Sequence, residues 1–250
     1  MKKLQLTLIL ILSLIFTVVH AQTTAIPDAN FEQFLVDQSI DSNGLNGNIL
    51  NSDAQAVTAL NVTRNDITDF TGLEAFVNLV TLDLGRNDFT MAPLTTLTVL
   101  EELIFDDNDV LASLDITQNV NLKILNIGAT GNGGTPPIPM LDISQNILLE
   151  TIYIYAFTSL ADIIFPQTAT LRTIQIIGTN EDIFDFTNHS GLEELLLNQN
   201  RQTTNITLPS IKNVLKKLDI RNQTVSSVDL TGFIALEDIN LGGTGVQTLL

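Results

Sequence analysis

The stretch LVTLDLGRN, Leu79–Asn87, decides the fold. Leu82 and Leu84 alternate with Asp83 and Gly85, the period of two that turns one face of a strand inward. The run then ends on asparagine, a residue depleted in strands. The same frame returns eight more times, as VTALNVTRN (57–65), LEELIFDDN (100–108), LKILNIGAT (122–130), LETIYIYAF (149–157), LRTIQIIGT (171–179), LEELLLNQN (192–200), LKKLDIRNQ (215–223) and LEDINLGGT (236–244). Successive frames start 22, 21, 22, 27, 22, 21, 23 and 21 residues apart, and the one long step carries the insertion GNGGTPPIP (131–139). Such an array buries its apolar positions only by stacking each unit on its neighbours.

The nine copies resemble the leucine-rich repeat, L-x-x-L-x-L-x-x-N, over residues 57–250, and the short period resembles the exported, internalin-like bacterial members. The resemblance implies a leucine-rich repeat solenoid, a right-handed superhelix of β-α or β-β coils with a parallel β-sheet on the concave face. Strands in such a sheet stand about 4.8 Å apart. The closing asparagine then serves backbone groups that the buried turn leaves unpaired. Asn65, Asn87, Asn108 and Asn200 keep that amide, whereas Thr130, Thr179 and Thr244 carry a hydroxyl, Gln223 a longer amide and Phe157 nothing polar. The solenoid is therefore expected to lose regularity around Phe157. Between the strands recur TDFT (68–71), LDIT (114–117), LDIS (141–144), FDFT (184–187) and VDLT (228–231), with IIFP (163–166) and ITLP (206–209) as variants. Each reads as a short extended piece on the convex side, with Ser, Thr or Pro starting the following turn.

Three segments follow from this frame: a signal peptide at 1–21, a small helical N-terminal cap at 22–56, and the solenoid at 57–250. Met1-Lys2-Lys3 is a basic start, Leu4–Val19 is largely apolar, and Val19-His20-Ala21 suits cleavage after Ala21. An uncleaved anchor is the alternative, but this stretch falls short of the roughly 20 residues of a bilayer span. The expected location is secreted or at the outer cell surface. In the cap, IPDANFEQFLVD (26–37) reads as a helix with Phe31, Phe34 and Leu35 on its apolar face, followed by the loop DSNGLNGN (41–48). GVQTLL (245–250) opens a truncated tenth repeat with no C-terminal cap, which points to a piece of a longer polypeptide.

The formal net charge is −17, and loss of residues 1–21 removes Lys2 and Lys3 to give −19. Phosphate backbones and anionic lipid surfaces repel such a chain, so neither nucleic acid nor direct membrane binding is expected. The chain has no Cys. After the signal its only histidine is His189, read as a solvated turn residue, and no G-x-S-x-G, P-loop, H-E-x-x-H or dinucleotide-binding glycine motif is present. The glutamate pairs at 101–102 and 193–194 read as solvated strand edges. The chain is thus expected to be no enzyme, with no catalytic residue and no cofactor. Calcium is the competing possibility, because Asp66, Asp88 and Asp109 each follow the closing residue of a frame, with Asp106 and Asp107 beside them. The loop DSNGLNG (41–47) also suggests calcium, but its sixth place is Asn46 where an EF-hand needs glycine.

Strand alternation points the third, fifth and seventh places of each frame out of the concave face. Tyr153 and Tyr155, the chain's two tyrosines, both fall on such places, among Ile104, Ile124, Ile177 and Leu196. An amphipathic aromatic pair within exposed aliphatics is one form of protein-contact hot spot. Packing of these side chains on one another across strands explains the pattern equally well. The expected function is a non-enzymatic protein-binding or adhesion module with an extracellular protein partner. The alternatives are a targeting or glycan-binding module of a larger secreted enzyme, and an oligomerising spacer.

Overall fold

The repeat frame becomes one continuous sheet. The computed structural model describes residues 22–129 and 135–246, together with the backbone of Thr248–Leu249. Nine strands, one per frame, stand side by side in chain order and pair in parallel. They are Ala59–Asn61, Thr81–Asp83, Glu102–Asp106, Ile124–Gly128, Thr151–Tyr155, Thr173–Ile177, Glu194–Asn198, Lys217–Asp219 and Asp238–Asn240. Leu60, Leu82, Leu103, Leu125, Ile152, Ile174, Leu195, Leu218 and Ile239 are successive partners across that sheet. All except Ile239, on the last strand, are buried. The sixth-place residues, from Val62 and Leu84 to Leu197 and Ile220, form a second buried file beside them. Each such side chain contributes about 2 kcal/mol of transfer free energy, so a repeat is held by the coils on either side of it.

The eighth place of the frame turns the chain out of the sheet. Arg64, Arg86, Asp107, Ala156, Gly178, Gln199, Asn222 and Gly243 all have φ between 53° and 74°. This left-handed turn aims the ninth side chain inward. Asn87 is 2 % exposed and its Nδ2 donates to Val62 O and Leu84 O, each at 3.0 Å, and to Gly85 O at 3.2 Å. Its Oδ1 accepts from Asn65 N at 3.2 Å and Ile67 N at 3.1 Å in the preceding coil. Asn108 repeats the pattern one coil on, accepting from Asn87 N at 3.0 Å, and Asn200 accepts from both Thr179 N and Thr179 Oγ1. The longer amide of Gln223 still reaches Leu197 O. Thr130 lies outside the described residues.

The expected irregularity at Phe157 is not found. The strand Thr151–Tyr155 pairs over all five residues with both neighbours, and Phe157 is buried in the ladder position. The eighth-place backbone bond of the other coils persists here, Ala156 N donating to Ile177 O at 2.7 Å as Asp107 N does to Gly128 O at 2.7 Å.

On the convex side, Met140–Asp142, Asp162–Ile164, Ile183–Asp185, Asn205–Thr207 and Ser227–Val228 are short strands, as the half-motif implied, whereas 68–71 and 114–117 are not. The turn after them is set by the aspartate of the motif. Asp69, Asp115, Asp142, Asp185 and Asp229 each accept from the backbone N–H two residues on, at 2.8–3.0 Å. A second amide ladder follows: Asn119 donates to Leu94 O and Leu97 O, and Asn146 to Ile116 O and Asn119 O. His189 holds the equivalent place and corrects its sequence reading. It is fully buried, its Nε2 lies 3.0 Å from Pro166 O, and its ring meets those of Phe165 and Phe186 edge-on. Burial lowers its pKa, so it stays neutral and donates as the asparagines do.

At the N-terminal end, Asp28 caps the helix Ala29–Asp37 by accepting from Asn30 N and Phe31 N. Its other oxygen accepts from Thr68 N, Thr68 Oγ1 and Asp69 N of the first coil. Phe31 packs edge-on against Phe70 with centroids 5.2 Å apart. Among the described residues no helix is long and apolar enough to cross a membrane.

Candidate functional site: the concave face

The register puts the outward residues into three files. The middle file runs Asn61, Asp83, Ile104, Asn126, Tyr153, Gln175, Leu196, Asp219, Asn240. Tyr153 and Tyr155 stack on each other, with ring centroids 6.2 Å apart and planes within 11°. Tyr155 Oη donates to Gln175 Oε1 at 2.8 Å in the next coil. Its ring is seated over Gly128, where an added Cβ would come within 3.0 Å of Tyr155 Cβ and 3.2 Å of its Cδ2. A missing side chain in the fourth coil thus makes the seat for the phenol of the fifth.

The six residues singled out by sequence all lie on this face and are all half-buried. They do not form one contiguous patch. Ile177 neighbours Tyr155 and Leu196 stands beside Gln175, but Ile104 is separated from Tyr153 by Asn126 in the middle file, and Ile124 pairs with Thr151. Beside the tyrosines is instead a cavity of about 330 Å³ lined by Asp106, Asn126, Gly128, Ala129 and Tyr155.

That cavity is rich in acceptors. Asn126 Oδ1 is buried without a hydrogen-bond donor. The Asp106 carboxyl is held above the usual carboxylate range by burial and then by the charges of Asp83 and Asp107, against a smaller lowering by Arg86. Arg86 is engaged by Asp107 at 3.2 Å, and Asp83 accepts from Asn61 Nδ2 at 3.0 Å and Gly85 N at 2.9 Å. Burial, followed by the nearby Tyr153 and Asp106, raises the Tyr155 phenol, which remains a neutral hydrogen-bonding group. Asp106 is a site residue that the apolar pattern did not single out; the run of two aspartates at 106–107 was its only trace in the sequence.

One border of the face is a charge ladder. The second places of successive frames are Glu101, Lys123, Glu150, Arg172, Glu193, Lys216 and Glu237. Lys123 meets Glu101 at 2.8 Å, and Glu193 is shared by Arg172 at 3.2 Å and Lys216 at 2.5 Å. Glu101 and Glu193 are therefore paired edges rather than purely solvated ones. Among the described residues no three acidic or histidine side chains gather into a group that would hold a metal ion, the file of Asp66, Asp88 and Asp109 included.

No family model matches the chain, and no curated protein does. Solved structures do. The parallel sheet, its repeat and its amide ladders define a leucine-rich repeat solenoid. Its particular form is internalin-like. The functional domain of InlJ from Listeria monocytogenes aligns with 94 % of this chain and 65 % of its own length, at 19 % identity and a TM-score of 0.52. Internalin C2 of the same species covers 92 % of each chain at 16 % identity and a TM-score of 0.53. The likeness is one of fold. The InlJ domain includes a cysteine ladder, whereas this chain has no Cys and stacks asparagines instead.

Proposed function

We propose that this protein is a non-enzymatic, exported binding module whose concave face takes a protein partner, with residues 22–56 capping the solenoid. The observation that supports this reading most is the Tyr153–Tyr155 stack, two half-buried phenols set beside an acceptor-lined cavity. Stacked phenols give large contact area at low entropic cost, as hot-spot aromatics do. Asp106, Asp83 and the chain's net charge of −17 favour a basic side chain in that cavity over an acidic one. Ile177 and Leu196 extend the apolar part of the surface. The basic start and apolar run of residues 1–19 support export to the cell exterior.

The test compares capture of extracellular proteins by the full chain and by Tyr153→Ala with Tyr155→Ala. Capture is expected to be lost with little change in melting temperature, while a convex substitution such as Ile183→Ala leaves it intact. Capture that survives the double substitution rules out this face as the binding surface.

A further inference from the structure

The frame LKKLDIRNQ (215–223) closes on glutamine, one methylene longer than the asparagine that closes LEELLLNQN (192–200). The extra carbon splits the work of the ladder amide. Gln223 Nε2 still donates to Leu197 O, the sixth-place carbonyl of the coil before, as Asn200 Nδ2 does to Ile176 O at 2.9 Å. The oxygen is different. In regular coils it accepts from the ninth-place N–H of the preceding coil, Asn87 Oδ1 from Asn65 N and Asn200 Oδ1 from Thr179 N. Gln223 is only 5 % exposed, yet its Oε1 accepts from no donor. A buried acceptor in this state is costly, and a ligand that brings a donor removes the cost.

At this interruption lies a cavity of about 540 Å³, within the roughly 300–1,000 Å³ of small-molecule sites. It is lined by Gln199, Arg201, Asn222, Gln223, Thr224 and Gly243, where the seventh, eighth and ninth coils leave the sheet, and shares no residue with the cavity at Tyr155. Gln199, Asn222 and Gly243 fill the left-handed eighth place, with φ 58°, 57° and 72°. A Cβ on Gly243 would collide with Asn222 Oδ1, so a missing side chain in one coil again makes room for a side chain of the coil before. Thr224 Oγ1 donates to Thr203 O and keeps its lone pairs for an incoming donor.

The lining chemistry selects the occupant. Three side-chain amides and a hydroxyl mix donors with acceptors, and no aliphatic or aromatic side chain lines the cavity. An apolar peptide anchor finds no pocket there, whereas a polyol exchanges hydrogen bonds on every side. No acidic side chain lines it either, in a chain of net charge −17. Arg201 supplies a positive charge, and none of the ion pairs among the described residues engages it. A guanidinium offers paired planar donors that match a carboxylate.

We propose that this cavity binds a sugar acid, a six-carbon polyol carrying one carboxylate. The carboxylate pairs with Arg201, hydroxyls exchange hydrogen bonds with Gln199 and Asn222, and one hydroxyl donates to Gln223 Oε1. The site is independent of the tyrosine stack and takes a different class of ligand.

The experiment is an NMR titration of the full chain with sodium D-glucuronate, D-glucose and sodium acetate, each at millimolar concentration. Glucuronate is expected to move the side-chain amide signals of Gln199, Asn222 and Gln223 saturably. Glucose and acetate each keep one half of the contacts and should bind about tenfold more weakly or worse. Arg201→Ala, at an exposed side chain, should lower glucuronate affinity by about tenfold or more with the melting temperature unchanged. Gln223→Asn restores the acceptor to the reach of Asn200 N, so the melting temperature should rise while glucuronate binding falls. A purely structural glutamine would not produce that pairing. No saturable shift with glucuronate, equal affinity for glucose or acetate, or unchanged glucuronate affinity in either variant overturns the site.

Discussion

At the residue scale, the ninth and eighth places of the frame carry most of what is specific. Asn87 satisfies three carbonyls and two N–H groups in two coils, and each buried group left unpaired costs about 1–3 kcal/mol. Asn87→Ala is therefore expected to lose roughly 3 kcal/mol or more, measurable by urea unfolding. At the eighth place, Ala156 holds φ 55°, a conformation that costs a side-chain-bearing residue about 1 kcal/mol relative to glycine. Ala156→Gly should raise stability by about that amount, net of the chain entropy that glycine adds to the unfolded state. A fall by a comparable amount would show that the turn relaxes freely. Asp106 stores destabilisation of another kind. Its folded pKa lies above its unfolded value, so at neutral pH it opposes folding, and the opposition fades as pH drops through that raised value. Asp106→Asn should thus stabilise the protein at pH 7 and give little benefit in acid. It should also weaken partner capture, the trade expected of a residue kept for binding.

At the element scale, the convex turns are where acid should act first. Hydrogen bonds from Thr117 and Thr187 hold the Asp115 and Asp185 carboxyls below their usual value of 3.8, and the amide of Thr231 does the same for Asp229. Asp28 is lowered as well: burial pushes it up, but its bonds to Thr68, Phe31 and Asp69 outweigh that. A depressed folded pKa stabilises above the unfolded pKa and is lost as pH falls through the folded one. Stability should therefore hold from neutrality to about pH 4 and decline below it. Asp115→Ala should cost about 1 kcal/mol at pH 7 and nearly nothing at pH 2, as read by denaturant midpoints. The charge ladder on the sheet border matters less to stability, since exposed pairs such as Lys123–Glu101 contribute about 0–1 kcal/mol each.

At the scale of the whole molecule, the sheet was legible because its signal repeats: nine frames agree on Leu82 and its counterparts, and one period explains them all. The helix at 29–37 was legible from Asp28 and the spacing of Phe31 and Leu35. Other features were hidden for physical reasons. The left-handed eighth place is filled by arginine, aspartate, alanine and glycine alike, so residue type at that place gives no sign of the turn. His189 reads as polar and exposed, yet it replaces asparagine in the second ladder, which only D-I-T-Q-N and D-I-S-Q-N at 115–119 and 142–146 betray. The six concave residues were placed on the correct face by alternation alone, but alternation says nothing about the seat at Gly128 or the buried carboxyl of Asp106.

The central claim is that residues at one place of consecutive frames are direct neighbours on one inner wall. A chain without cysteine allows it to be measured directly, by oxidising engineered pairs and scoring disulfides. Asp83→Cys with Ile104→Cys, which pair in adjacent strands, should close rapidly, since neighbouring strands bring the Cα atoms to about 5 Å. Asp83→Cys with Asn126→Cys, one strand further on, should not. Closure of the second pair, or failure of the first, would contradict the stack on which the binding face is built.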